Sequence, residues 1–194
     1  QAASYWDAAY VFYEAGQHIT AGDLFLLYTE SSDDKGAGYS WAGWNYYWGE
    51  DYDAALVAFN HCLESNIKNG WEHSNALDGI GWTYFQLDEF ESALSYFTQA
   101  IELDDSYANA YEGRGLTYLR QKRYVEAIAD LEKLIDLDPA ENGRRWNYDN
   151  LADAYYRLGN YEKAEKYYAL FIDTYDVRVE GIFEVGRSYF QLTD

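Results

Sequence analysis

One pattern of residue types occurs twice in mid-chain, as GWTYFQLDEFESALSYFTQAIELD (Gly81–Asp104) and GLTYLRQKRYVEAIADLEKLIDLDP (Gly115–Pro139). In both stretches a glycine is followed three positions later by Tyr, and an aromatic residue comes six positions after that Tyr. An Ala follows three positions later, and a bulky apolar residue four positions after the Ala. Apolar residues three and four apart share one face of a helix, so each copy predicts a helix, a turn and a second helix.

The pattern continues along the whole chain with a nearly constant period. An aromatic column recurs at steps of 34, 38, 34, 37 and 34 residues and contains Phe12, Tyr46, Tyr84, Tyr118, Tyr155 and Tyr189. A second column keeps the same phase and contains Ala21, Ala55, Ala93, Ala127 and Ala164. A single helix pair cannot bury its apolar face alone, so the pairs are expected to stack on one another.

Two further columns explain how such pairs would pack. Small residues recur at Ala9, Gly43, Gly81, Gly115, Ala152 and Gly186. Bulky residues recur in the second helices at Phe25, Phe59, Phe97, Leu131 and Tyr168. Two antiparallel helices approach closely only where side chains are small, and we expect the bulky residues to fill the wider gaps between helices.

These columns resemble the tetratricopeptide repeat (TPR) family over essentially the whole chain. The copy from Tyr111 to Pro139 carries the family's aromatic residue, Gly, two Tyr, Ala and terminal Pro in register. The resemblance implies an all-α, right-handed α-solenoid of about five helix pairs plus a terminal helix. Arg114 departs from the family pattern where Leu is favoured, and His18 departs where an aromatic residue is usual.

The period also predicts boundaries within a single array over residues 1–194. The expected repeats are 2–35, 36–73, 74–107, 108–144 and 145–178, followed by a half repeat at 179–194. The two longer steps indicate longer inter-repeat loops at Ile67–Asn75 and Pro139–Asn147, which both contain Asn-Gly. Turns inside the pairs are predicted near Gly16, Gly49, Asp88, Gln121–Lys122 and Gly159.

The stretch SWAGWNYYWGEDYDAA (Ser40–Ala55) is dense in aromatic residues. In the TPR family the first helix of each pair lines a concave groove, and this register places Tyr46 and Tyr52 in the core and Trp41 between repeats. Carried along the chain, it implies groove-binding residues at Trp6, Tyr10, Tyr13, Trp44, Tyr47, Trp48, Asp78, Trp82, Phe85, Glu112, Asp149, Asp153 and Tyr156. The groove would be aromatic toward the N-terminal half and acidic toward the C-terminal half. The alternative is a tightly wound superhelix that buries these rings against each other.

The charge of the chain restricts its partners. Lys and Arg number 14 and Asp and Glu 34, which gives a net charge of −20. Such a surface repels phosphate backbones and anionic lipid, so we expect no nucleic acid partner. A protein or peptide partner, basic or aromatic and proline-rich, fits better, and neutral sugars remain open. Solubility alone is an equally simple reason for the charge, and no apolar run is long enough to span a membrane.

The residue types of catalytic and metal sites do not form a recognisable pattern. The histidines His18, His61 and His73 are scattered, with His18 in a packing column and the other two on the surface or in a loop. Cys62 is expected to be a buried small residue, and the paired aspartates after the helices to be caps. The Lys, Arg and Asn cluster with which some TPR domains hold a carboxylate tail is also missing. We therefore predict no enzyme activity, no metal and no cofactor.

Three functional hypotheses follow. The first is a protein–protein interaction scaffold that binds a peptide or protein segment in the groove. The second is a structural subunit that stacks end to end, with Phe183, Tyr189 and Phe190 at the contact, into an oligomer or extracellular filament. The third is glycan binding by the Trp and Tyr surface. The first residues, QAAS, fit a mature terminus after signal-peptide cleavage or the edge of a longer chain, which favours an exported (periplasmic or extracellular) protein over a cytoplasmic one.

Overall fold

The computed structural model describes residues 2–65, 70–137 and 146–174. Within these ranges the chain is helical and contains no strand, which confirms the all-α prediction. The helices are α1 (Ala2–Glu14), α2 (His18–Ser31), α3 (Lys35–Trp48), α4 (Tyr52–Glu64), α5 (Gly70–Gln86), α6 (Phe90–Leu103), α7 (Ala108–Arg120), α8 (Tyr124–Leu137), α9 (Trp146–Arg157) and α10 (Tyr161–Thr174).

The helices group into two compact units, Gln1–Pro139 and Ala140–Asp194. In the first unit each odd-numbered helix packs on the even-numbered helix that follows it, from α1 with α2 to α7 with α8. Each pair then packs on the next through contacts such as α2 with α3 and α4 with α5. In the second unit, α9 packs on α10.

The odd-numbered helices form the inner layer of the first unit. Helix α3 contacts α5, and α5 contacts α7, in addition to the contacts between successive helices. Among the described residues of this unit, α4 and α6 make no contact of comparable extent. Because the stack is closer on the side of the odd-numbered helices, that side is the inside of its curve, as in helical-repeat stacks generally.

Pairs of glycines hold the buried aromatic rings of the second helices. The ring of Phe59 is fully buried between Gly43 of α3 and Gly79 of α5. A Cβ atom added at Gly43 would lie only 2.6 Å from that ring, so no larger residue fits there without movement. The arrangement recurs one repeat later with Phe97, Gly81 and Gly113. Each ring is therefore shared by two consecutive repeats. One glycine of each pair comes from the small-residue column of the same repeat, and the other comes from the next repeat.

The turns inside the helix pairs share one unusual backbone conformation. A residue with positive φ recurs with the period of the repeats, at Gly16 (φ 70°), Glu50 (φ 61°), Asp88 (φ 58°), Lys122 (φ 59°) and Gly159 (φ 76°). These left-handed residues close the first helix, since the N–H groups of Glu50 and Asp51 donate to the carbonyls of Tyr47 and Tyr46. The predicted turns are confirmed, with the left-handed residue of the second repeat one position after Gly49.

The predicted loop over Ile67–Asn75 is wrong in its second part. Helix α5 begins at Gly70, so residues 70–75 are helical and His73 is not in a loop. The imidazole Nε2 of His73 lies 3.2 Å from the carbonyl of Leu63, and Ser74 is fully buried. The extra turn of α5 thus gains tertiary contacts that local sequence signals do not show. Most of the second predicted loop lies outside the described residues.

Arg114, which departs from the family pattern, forms a bidentate ion pair with the buried Asp130. Its Nε and Nη2 atoms donate to the two carboxylate oxygens of Asp130 at 2.7 and 2.8 Å. Its Nη1 donates to Thr98 Oγ1 at 3.2 Å, and its guanidinium lies over the Tyr111 ring. Arg114 on α7 therefore joins α6 and α8, and its own high pKa is raised further chiefly by the Asp130 hydrogen bonds.

Candidate ligand-binding face

An aromatic cluster covers the inner side of the first two repeats, with Trp41 at its centre. The ring centroid of Trp41 lies 6.0 Å from that of Trp6, 5.8 Å from that of Tyr13 and 5.5 Å from that of Phe25. Most of these contacts are edge-to-face, which is a favoured geometry for aromatic pairs. Trp41 therefore lies between the first and second repeats, as its register suggests.

Trp44 and Trp48 extend this cluster along α3. Their rings stack with centroids 5.8 Å apart, and Trp44 also meets the buried Phe59 ring edge-to-face at 5.4 Å. Trp48 contacts the Tyr13 ring at 5.5 Å yet keeps 42% of its surface exposed. The rings therefore pack on one another, and they still present surface to solvent.

A pocket of about 300 Å³, the tryptophan pocket, opens beside these rings and is lined by Ser40, Trp41, Trp44, Trp48, Trp71, Asn75 and Asn109. The lining residues come from α3, α5 and α7, which are the helices of the inner layer. Trp71, in the first turn of α5, is 58% exposed. Among the described rings, it makes no close ring contact with the α3 tryptophans, so it contributes a separate aromatic surface to the lining.

A hydrogen-bonded network lies against the tryptophan pocket. Asn75 Oδ1 accepts from Ser40 Oγ at 2.5 Å and from the Trp44 indole Nε1 at 2.8 Å. Asn75 Nδ2 donates to the Tyr107 hydroxyl at 3.3 Å, and that hydroxyl donates to Asp78 Oδ2 at 3.5 Å. Burial, followed by the charge of Asp78, raises the pKa of Tyr107, so this hydroxyl stays protonated. The network satisfies the indole N–H of Trp44 and fixes its ring.

The remaining predicted groove residues of the first unit differ in exposure. Asp78 is only 1% exposed and does not line the surface. Trp82 packs edge-to-face on Phe85 and on the buried Phe97, and Glu112 is half-buried on α7. On α3, the Tyr47 hydroxyl accepts from Gln86 Nε2 at 3.0 Å. Tyr10 is 43% exposed and contacts Trp41 and Tyr13.

The acidic residues predicted for the C-terminal half lie in the second unit. Asp149, Asp153 and Tyr156 are spaced along one side of α9, and the Asp153 carboxylate pairs with Arg157 at 3.3 Å. Partial desolvation, with the nearby Asp153 charge, raises the pKa of Asp149. The Tyr156 ring contacts that of Tyr161. The predicted assembly residues Phe183, Tyr189 and Phe190 lie outside the described residues.

Sequence reasoning missed Trp71, Asn75 and Asn109 as lining residues. The Asn-Gly signal assigns Trp71 and Asn75 to a loop, but extending the α5 register backwards from Asp78 by three and seven residues places both on the same helix face. Asn109 stands three residues before Glu112 in α7 and shares its face by the same rule. The signal that could have found them was therefore helical spacing, which the turn signal outweighed.

Other chemistry on the described residues is sparse. No group of three or more His, Cys, Asp or Glu side chains within them could hold a metal ion. Cys62 is buried, and its Sγ donates to the Gly36 carbonyl at 3.4 Å. Burial, with smaller effects of the Glu72 and Asp34 charges, raises the pKa of the Cys62 thiol to about 12, so it is not a nucleophile at neutral pH. None of the described helices is both long and apolar enough to cross a membrane.

Comparison with known proteins gives consistent matches. A tetratricopeptide repeat model matches residues 106–175, and a TPR repeat model matches residues 81–122. MamA from Desulfovibrio magneticus RS-1 superposes with a TM-score of 0.71 at 18% identity, covering 91% of this chain and 96% of that chain.

Two further solved structures are similar. YrrB, described as a TPR protein with an unusual peptide-binding site, has a TM-score of 0.63 at 22% identity, covering 92% of this chain and 88% of that chain. TTC0263, a thermophilic TPR protein in Thermus thermophilus, has a TM-score of 0.70 at 17% identity, covering 92% of this chain and 93% of that chain. No curated protein matches the chain. At these identities the likeness concerns the fold.

Proposed function

Because this chain is a tetratricopeptide repeat protein, we propose that it is a non-enzymatic scaffold that binds a peptide or protein segment along the inner layer of α3, α5 and α7. The observation that carries this proposal is the tryptophan pocket. It is lined by Trp44 and Trp48 of α3 and by Trp71 of α5, in the layer that lines the inside of the stack. Rigid rings bury contact area at little entropic cost and are enriched among the residues that dominate binding energy.

The size of the pocket favours an anchor for a longer segment. A volume of about 300 Å³ lies at the lower end of the range for ligand pockets and holds one or two side chains. The aromatic surface continues beyond the pocket, because Tyr13 contacts Trp48, and Tyr10 contacts both Tyr13 and Trp41. An extended segment would place one side chain in the pocket and lay neighbouring residues across α1.

The likeness to YrrB supports the same proposal at the level of fold. That protein is described as having an unusual peptide-binding site, so a stack of these repeats is compatible with a peptide site outside the usual pattern. At 22% identity the position of that site does not transfer to this chain. The binding site of this chain is therefore inferred from its own pocket.

The first experiment measures peptide binding to the purified chain and to pocket variants. We expect that peptides selected from a random phage-displayed library bind the wild type, and that Trp48→Ala and Trp71→Ala each weaken binding about tenfold or more. Trp48 keeps 42% and Trp71 58% of its surface exposed, so we expect both variants to fold, which circular dichroism checks. Tyr161→Ala is the matched control, because this ring is 64% exposed and does not line the pocket.

Three other outcomes would contradict the proposal. Selected peptides that bind Trp48→Ala and Trp71→Ala as tightly as the wild type would place the binding surface elsewhere. Growth of mass with concentration in light scattering, without any peptide binding, would favour the end-to-end stacking hypothesis. Quenching of Trp fluorescence by oligosaccharides and not by peptides would favour glycan binding.

A further inference from the structure

We propose that the tryptophan pocket holds the cationic side chain of an Arg or Lys residue of the bound segment. This inference rests on the proposed function and names the chemistry of its ligand. Three features of the described residues carry it: the aromatic walls, the internal hydrogen bonding of the polar lining, and the charge around the pocket.

Indole rings supply most of the apolar lining of the pocket. Trp44 and Trp48 stack on each other along α3, and Trp71 lines the pocket without a close ring contact to either. The face of an indole carries negative electrostatic potential and is the best aromatic surface for a cation. The aliphatic stem of Arg or Lys can pack on such rings while its charged end stays close to water. Arg additionally stacks its planar guanidinium on an aromatic face.

The polar group at the centre of the lining, the Asn75 amide, is already engaged. Its Oδ1 accepts from Ser40 and from the Trp44 indole, and its Nδ2 donates to Tyr107. A sugar would lose water from its hydroxyl groups on entry and would need polar groups of the lining to replace it. A cation on a ring face needs no such directional partner. The lining therefore favours a cationic or apolar side chain over a glycan.

The charge around the pocket favours a cationic side chain over an apolar one. The described residues that line it include no Lys or Arg, and the chain as a whole carries −20. The Asp78 carboxylate lies behind the lining, next to Tyr107. After burial, its charge is the next cause of the raised pKa of Tyr107, so the negative field of Asp78 acts directly behind the lining. Such a field attracts a positive side chain and repels a carboxylate.

The test compares peptides that differ only in charge. Dodecapeptides selected on the wild type should be enriched in Arg or Lys. In the tightest selected peptide, replacing the critical Arg by citrulline keeps the shape and removes the charge, and should weaken binding about tenfold by titration calorimetry. If the selected residue is Lys, norleucine takes the place of citrulline. Replacement by Glu should abolish binding, and raising the salt concentration should weaken the charged peptide more than its neutral counterpart.

Protein variants separate ring electrostatics from apolar packing. Trp48→Phe keeps an aromatic face and should retain more affinity for the charged peptide than Trp48→Leu, while the neutral peptide should not distinguish the two variants. If peptides bind through the pocket, as judged by loss in Trp71→Ala, but contain no basic residue or tolerate citrulline, the charge inference is overturned and the proposed function stands. Peptides indifferent to Trp48→Ala and Trp71→Ala would overturn both.

Discussion

At the scale of single residues, the turns carry a conformation that their side chains do not favour. Glu50, Asp88 and Lys122 adopt positive φ, where an L residue with a Cβ atom costs about 1–2 kcal/mol. The equivalent positions in the first and fifth repeats are Gly16 and Gly159, for which this region carries no such cost. The repeat geometry therefore imposes positive φ at this position, whichever residue type occupies it.

Replacing a left-handed residue by glycine should stabilise the protein. We expect Glu50→Gly to raise the free energy of unfolding by about 1 kcal/mol, since the relief of strain exceeds the added freedom of the unfolded chain. Urea denaturation followed by circular dichroism measures the change.

Two variants check the origin of that effect. Glu50→Gln removes the charge and keeps the strain, so it should change stability far less than Glu50→Gly. Gly16→Ala should destabilise, because it introduces a Cβ at φ 70°. A stabilising Gly16→Ala would show that backbone strain does not govern these turns.

At the scale of elements, α6, α7 and α8 depend on one ion pair. Asp130 is buried on α8, and Arg114 supplies both hydrogen bonds to its carboxylate. We expect Arg114→Leu, the residue that the family favours at this position, to lower the free energy of unfolding by about 3 kcal/mol, because it leaves a buried charge without its partner. Denaturant titration of both proteins measures this loss.

A double variant separates the contribution of the ion pair from the other contacts of Arg114. Arg114→Leu with Asp130→Leu should recover most of the stability, because two apolar side chains can replace a buried ion pair at small cost. If the double variant were as unstable as Arg114→Leu alone, the Thr98 hydrogen bond or the packing on Tyr111 would be the more important contribution. The surface pair Arg157–Asp153 offers a control, since exposed pairs contribute little.

The sequence predicted the elements and their packing better than the pocket. Columns such as Phe59 and Phe97 recur with the period, as do Gly43 and Gly81, so the packing of each ring near one glycine could be anticipated. Gly79 and Gly113, which contact these rings from the next repeat, were not predicted. Trp71 could not be placed with the same ease, because the local Asn-Gly signal indicates a loop where α5 in fact begins at Gly70. The Arg114–Asp130 pair also escaped, since it occurs in one repeat and leaves no periodic trace.

At the scale of the whole molecule, the negative net charge should destabilise the folded chain and strengthen binding of a basic peptide. With a net charge of −20, the folded chain repels itself at low ionic strength. We expect raising NaCl from about 0.01 to 0.3 M to increase Tm by several degrees, because the Debye length shortens from about 30 Å to under 10 Å. Differential scanning calorimetry measures the shift.

The same salt increase should weaken binding of a basic peptide, so stability and affinity would change with opposite sign. The citrulline counterpart of that peptide provides the control, because its affinity should change little while Tm still rises. A Tm that falls with added NaCl would mean that attractive pairs such as Arg114–Asp130 outweigh the repulsion.

The rings shared between repeats affect where a repeat can be inserted or deleted. Phe59 belongs by sequence to one helix pair, yet half of its glycine socket comes from the next pair, at Gly79. Because Phe97 repeats this socket one period later, removal of the period between these two rings would join Phe59 to an equivalent socket. In this part of the array, a duplication or deletion therefore need not begin and end at the boundaries of a helix pair.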